Sequence, residues 1–209
     1  MTGDAALVLP EGVGPPASIP ADVFAAALHS YVTEQRLDMR ALAHELGIGR
    51  ATLYRRAGNR EALLDELVWF RSRKALADAA DDTGSERGVV RLVSMIMKVL
   101  RRVEVDRPLH AILASDPEMA LRICTGTQSR CQQGMTATLE RVIDLEIGRG
   151  NFAADLDTPT LAYAIVRISE GFLYSDIIAD RSPDIDRAGT VIEGLLRGLD
   201  TTSRVAHAS

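Results

Sequence analysis

From Ser18 to about residue 200 the apolar residues of this chain recur at three- and four-residue intervals, with no run of single alternation. A period near 3.6 builds amphipathic helices, and without a two-residue period there is no half-buried strand. The predicted fold class is therefore all-α. A first helix is expected over 19–34, where Ser18 can cap, Pro20 suits a first turn, and Val23, Ala27 and Tyr31 share a face. Asp38 caps a short helix carrying Leu42, Ala43 and Leu46. Gly47-Ile48-Gly49 ends it, and a second short helix runs from Arg50 to about Arg56 with Leu53 inward. After Ala57-Gly58-Asn59 a long helix starts at Arg60 and lasts to about Asp81. Further helices are expected over 85–104, 107–114, 117–123, 126–148, 158–179 and 184–200. Pro108, Pro117, Pro159 and Pro183 sit near helix starts, where a missing N–H costs least. Residues 1–17, with three prolines, three glycines and no helical period, read as a disordered arm, and the last nine residues as frayed. The chain divides into that arm, a head over 18–66 and a body over 67–203.

Composition narrows the function. The charged fraction of 25% is that of ordinary globular proteins, and no apolar run reaches the roughly 18 residues of a membrane helix. No Lys or Arg precedes Arg36, so neither a secretory signal nor a transit peptide is expected. Cys124 and Cys131 are too few for a disulfide framework. On one helix they would stand two turns apart, about 10.5 Å, too far to bond. Both are expected to be reduced packing residues in a cytoplasmic protein. Four scattered histidines give no metal spacing, so neither metal nor cofactor is expected. No Gly-rich phosphate loop and no Gly-x-Ser-x-Gly appears, which argues against an enzyme.

The net charge of −5 hides an asymmetry. Between Arg36 and Arg60 six arginines stand against Asp38 and Glu45, which leaves this stretch at +4 and the other residues at −9. A basic island on an acidic body is the footprint of a small polyanion-binding module. The island coincides with the two short helices, which form a helix-turn-helix pinned by Leu42, Leu46, Ile48 and Leu53, with small Ala43 where the helices must cross closely.

Residues 37–67 resemble the DNA-binding region of tetracycline-repressor-type regulators. The matching features are Leu42-Ala43, the Leu46-Gly47-Ile48 turn, Thr52-Leu53-Tyr54, and a basic residue, Arg60, opening a helix that continues with Leu63-Leu64. Two positions depart from the family: Ala57 replaces a frequent aromatic and Arg60 a frequent lysine. The resemblance implies a recognition helix on which Arg50, Ala51 and Arg55 face base edges, while Thr52 and Tyr54 donate to phosphates. It also implies that Arg40 reaches a base or a phosphate, and that Arg60 meets a phosphate beside a helix N-terminus. Arg56 has no implied role.

In that family the body holds an effector and the last two helices pair with their copies. The residues agree independently. The helix over 158–179 is apolar around most of its circumference, and that over 184–200 carries Ile185, Ala188, Ile192, Leu195, Leu196 and Leu199. Such helices need cover on nearly all sides, which a partner subunit provides. Gly189, Gly194 and Gly198 would permit its close approach. Tyr163, Arg167, Glu170 and Tyr174 form one polar stripe. Arg167 and Glu170 can pair structurally at the dimer seam, or the stripe can offer hydrogen bonds to an effector. The same stretch, followed by Asp176 and Ile177, is similar to that of members near the regulators of lactone catabolism. Further effector candidates are Trp69, Phe70, Met95 and His110, and then Cys124, Gln128, Cys131 and Phe172: adaptable sulfur, rigid aromatics and a few polar groups. The expected function is that of a cytoplasmic, ligand-responsive homodimeric repressor. It would bind a near-palindromic operator in double-stranded DNA and be released by a small, largely apolar molecule. A helical regulator that senses a protein partner, or has no small-molecule effector, is the alternative.

Overall fold

The computed structural model describes residues 16, 18–33, 36–179 and 181–202. Apart from Pro16, the arm expected over 1–17 lies outside the described residues, as do residues 203–209 at the C-terminal end. The described residues form ten α-helices and no strand, as the periodicity predicts. The head holds α1 (Ala21–Thr33), α2 (Met39–Glu45) and α3 (Arg50–Ala57). The long α4 (Arg60–Asp82) runs from the head into the body. There it meets α5 (Gly88–Glu104), α6 (Arg107–Ser115), α7 (Pro117–Thr125) and α8 (Arg130–Gly148). The chain closes with α9 (Thr158–Ile178) and α10 (Ile185–Leu199).

Side-chain caps set most helix starts. Asp38, Asn59, Asp106, Asp116, Ser129, Asp157 and Asp184 each accept from a backbone N–H of the first turn. Those local signals place the elements within a few residues of their predicted bounds. The largest difference is at α8, which begins at Arg130 instead of 126. Gly126 donates to Arg122 O and closes α7, and Ser129 then caps α8 through Gln132 N. The two cysteines accordingly lie on different helices, Cys124 on α7 and Cys131 on α8; both are buried free thiols.

Apolar burial builds a continuous core from α1 to α10. Tyr31, Leu53, Leu64, Leu92, Ile143 and Ile192 are among its fully enclosed members. One polar knot crosses it. The carboxylate of Glu146, near the end of α8, is fully buried. It accepts from Gly88 N at 2.6 Å, Arg91 Nη1 at 3.0 Å and Asn151 Nδ2 at 3.1 Å. This ties the start of α5 to the end of α8. Gly88 has φ +56° and lies so close to Asn151 that a Cβ would sit 2.4 Å from that residue's carbonyl oxygen.

Candidate nucleic-acid interface and core cavity

The head is built by short-range chemistry. Asp38 Oδ1 accepts from Arg40 N at 2.8 Å and Ala41 N at 3.1 Å. The bonds from Ala41 and Arg40 hold its carboxyl below the ordinary value. Gly47 then takes φ +63°, a left-handed conformation that lets the chain reverse. A Cβ there would meet nothing within 4 Å, so conformation and not space demands the glycine. Ile48 N bonds back to Ala43 O at 3.0 Å and closes the turn. In α3, Leu53 and Ala57 point into the core, which leaves Arg50, Ala51, Tyr54 and Arg55 exposed and Thr52 half-buried. Arg40 on α2 is also exposed.

The six arginines of the basic island divide into two groups. Among the described residues, none pairs with the guanidinium of Arg40, Arg50 or Arg55. The other three are engaged within the protein. Arg36 lies 3.5 Å from Asp38. Arg56 donates to both carboxylate oxygens of Asp22 on α1, at 2.8 and 2.9 Å, and depresses the Asp22 pKa by that bond. Arg60 donates to Leu37 O at 2.9 Å and Met119 Sδ at 3.2 Å, and stands 3.5 Å from Asp116. Arg60 thus fastens the head to the α6–α7 corner, and a phosphate contact would require it to exchange one of these partners.

The same seam carries further ties between the first turns of α4 and the body. Glu61 pairs with Arg122 of α7 at 3.0 Å. Asp65 accepts from Arg130 N at 2.8 Å and Cys131 N at 3.2 Å, so α4 supplies an anion to the positive end of α8. Burial nevertheless raises the Asp65 pKa, outweighing the two amide bonds that lower it.

A cavity of about 70 Å³ lies inside the body between α4, α5, α7, α8 and α9. Met95, Cys124, Cys131, Glu170 and Tyr174 line it, so the fold brings five of the sequence candidates together. Ser72, Met135 and Ser169 line it too; small polar side chains and a methionine on a mixed helix face gave no signal for them. The other candidates lie elsewhere. Trp69 packs on bare Gly134 of α8, where a Cβ would come 2.3 Å from the ring. Phe70 meets Phe24 of α1 edge-on at 5.2 Å, with Arg73 over its ring. His110 sits on α6 and Gln128 is exposed in the α7–α8 turn. Phe172 and Arg167 line an open groove between α9 and α10.

Arg167 nevertheless touches the cavity wall from behind. Its Nη1 donates to Glu170 Oε2 at 2.7 Å and to Thr125 O at 2.8 Å, and its guanidinium lies 4.9 Å from the Tyr163 ring centre. Burial raises the Glu170 pKa while Arg167 pulls it down. Burial likewise pushes the Cys131 thiol up to about 12 and the Cys124 thiol further, so neither is a nucleophile at neutral pH. The described residues hold no group of three His, Cys, Asp or Glu arranged for a metal, and no helix of theirs is long and apolar enough to cross a membrane.

The outer face of α9 and α10 is open. Tyr163, Ile178 and Val191 are exposed there, and a Cβ at Gly171, Gly194 or Gly198 would meet nothing within 4 Å. Gly189, expected to face a partner, instead lies against Met97 of α5, with Met97 Sδ 2.5 Å from the position of a Cβ.

Comparison with known proteins agrees with this geometry. Residues 35–67 match the family described as bacterial regulatory proteins, tetR family. Residues 87–197 match the tetracyclin repressor-like C-terminal domain. No curated protein matches the sequence. Among solved structures, the chain is similar to the R. erythropolis transcriptional repressor QsdR from the TetR family. The two are 28% identical, with a TM-score of 0.71 over 87% of this chain and 97% of that one. Proteins of this family are transcriptional regulators, typically DNA-binding repressors, and not enzymes. The helix-turn-helix head, the helical body and both domain matches together place the chain in the tetracycline-repressor family of transcriptional regulators.

Proposed function

We propose that the chain is a homodimeric repressor whose two α3 helices read a near-palindromic operator in duplex DNA, and that a small, largely apolar molecule in the body cavity releases it. The head over 18–66 is the DNA-binding unit in this reading, and 67–203 the effector and dimerisation unit. The observation that carries it is the outer face of α3. Arg50 and Arg55 stand exposed and, among the described residues, unpaired, five residues apart on the helix with Ala51 and Tyr54 between them, while neighbouring Arg56 is locked to Asp22. Unpaired arginines on an exposed helix lose no internal partner when they meet guanine edges or phosphates. Thr52, Tyr54 and Arg40 fix register on the backbone, and Arg60 holds the head at its angle to the body.

Dimerisation rests on the open face of α9 and α10. Arg167 and Arg187 lie with Asp176 and Asp184 along its groove, an arrangement of both signs that a twofold copy can complement. Release would run through α4. Its first turns are held by Arg122, by the N-terminus of α8 and by the α6–α7 corner, and the adjoining Cys124 and Cys131 line the cavity. A guest that favours a different placement of α7 and α8 therefore shifts α4, and with it the spacing of the two heads.

Selection of bound sequences from a random duplex pool tests the reading. The expected result is an inverted repeat whose half-sites lie about one helical turn, 34–36 Å, or a multiple apart. Enrichment of no sequence, or of a single unsymmetric element, would overturn it.

A further inference from the structure

The polar atoms of the cavity are unequally engaged. Each hydroxyl has a partner in the protein: Ser169 Oγ donates to Ile165 O at 2.8 Å, Ser72 Oγ lies 3.7 Å from Cys131 Sγ with either able to donate, and the Tyr174 hydroxyl pairs with the Cys124 thiol. One carboxylate oxygen does not. Glu170 is the one acidic or basic side chain, Asp, Glu, Lys, Arg or His, among those lining the cavity. Arg167 holds its Oε2 from outside the lining, and no described residue donates to Oε1. The remaining wall is apolar, with Leu76, Ile96, Val99, Leu139, Ile165 and Leu173 among its members.

From this asymmetry we infer that the effector is a small uncharged molecule with an apolar body and a hydrogen-bond-donating head, a hydroxyl or an amide N–H, that meets Glu170. The inference rests on the cavity being the effector site and adds the chemical class that fits it. An anionic guest would bring a second negative charge beside Glu170 into a wall of low polarity, with Arg167 turned outward. A cation fits no better, because Arg167 already balances Glu170 and a further charge would lie buried without a partner. A guest with acceptors alone finds at most the donor left over in a hydroxyl–thiol pair, and leaves Oε1 unpaired. A neutral donor satisfies the open oxygen and leaves the Arg167 pair intact. Size sets a second limit. About 70 Å³ holds roughly half a dozen heavy atoms before side chains move, and flexible Met95 and Met135 in the wall can yield to more.

The test is a matched series on the full-length protein: 1-hexanol, 2-hexanone, hexanoate and toluene. Binding is followed by melting temperature and by the fluorescence of the single tryptophan, Trp69, which packs on Gly134 of α8, the helix that carries Cys131 and Met135. The expected result is hexanol binding on the order of tenfold tighter than hexanone, with hexanoate weaker still. Glu170→Leu should erase the difference between hexanol and hexanone, and Glu170→Gln should lessen the handicap of hexanoate. Hexanone or hexanoate binding as tightly as hexanol to the wild-type protein would overturn the inference while leaving the cavity as a site, and needs no variant to fold. Binding of none of the four, toluene included, would overturn the cavity reading itself.

Discussion

Glu146→Ala should remove a large part of the stability of the body. Glu146 is fully buried and Arg91 nearly so, with 3.0 Å between Arg91 Nη1 and Glu146 Oε1. Removing one member of a buried pair leaves the other charge without compensation, at a cost of about 3–5 kcal/mol. Gly88 N, 2.6 Å from Oε2, loses its acceptor in a buried position, for about 1–3 kcal/mol more. The expected loss is therefore on the order of 4–8 kcal/mol, against a total of about 5–15 kcal/mol for a typical native protein. The double replacement Arg91→Met with Glu146→Leu removes both charges and also the unpartnered Nε of Arg91. It should recover most of the loss, because the buried guanidinium goes with its partner, and the groups that lose Glu146 as acceptor are Gly88 N, Asn151 and the exposed Arg149, 3.5 Å from Glu146 in the wild type. The assay is denaturant unfolding of wild type, both single variants and the double variant at one fixed protein concentration, followed by circular dichroism and Trp69 emission. A Glu146→Ala loss below about 1 kcal/mol, or a double variant no more stable than Glu146→Ala, would refute the reasoning.

Two further outcomes follow from particular contacts. Asp65 has a raised folded-state pKa, so its protonated form is the one folding favours. Its contribution is full below the ordinary 3.8 and fades as pH rises through the folded value. Asp65→Asn, which keeps a neutral acceptor for Arg130 N and Cys131 N, should remove that fall when stability is measured against pH; an unchanged difference from wild type across the acid range would contradict it. Gly134→Ala should drive a methyl into the Trp69 ring, destabilise by about 1–3 kcal/mol and shift Trp69 emission. Identical emission and melting temperature would show that the two helices can part freely.

Much of this molecule was readable because its decisive signals are local. Asp38, Gly47 and Leu53 each act within a few residues, so the two short helices and their turn could be placed from the sequence and the outward face of α3 followed from the period. The starts of α6 and α9 were equally legible, because Pro108 and Pro159 stand in their first turns, whereas the Ser129 cap went unread and α8 starts four residues later than expected. The Arg167–Glu170 pair, three residues apart, was legible for the same reason. Long-range partners were not. Arg56 finds Asp22 across 34 residues and Arg91 finds Glu146 across 55, and nothing in either neighbourhood names the other. Arg60 looked like a free phosphate ligand because Asp116 and Met119 approach it only in the folded body. The cavity was half legible. Periodicity tells that Trp69, Phe70 and Met95 point inward, but not whether inward means against Gly134, against Phe24 or into an opening. Gly189 is the same case: its small size signalled a close approach, and the helix that approaches is α5 of the same chain.

The division of the arginines is the centre of the proposed function, and the affinity of three proteins for a selected operator tests it most directly. Wild type, Arg50→Ala and Arg56→Ala are compared from 50 to 200 mM salt, with random duplex as competitor. Arg50 is exposed and has no partner among the described residues, so its loss should weaken operator binding at least tenfold and narrow the gap to random DNA, each base contact contributing about 1–3 kcal/mol in each of two heads. Arg56 is held by Asp22, so its loss should leave affinity within a few-fold of wild type and the salt slope unchanged. Arg50→Ala binding like wild type, or Arg56→Ala losing as much as Arg50→Ala, would contradict the assignment of α3's open face to DNA.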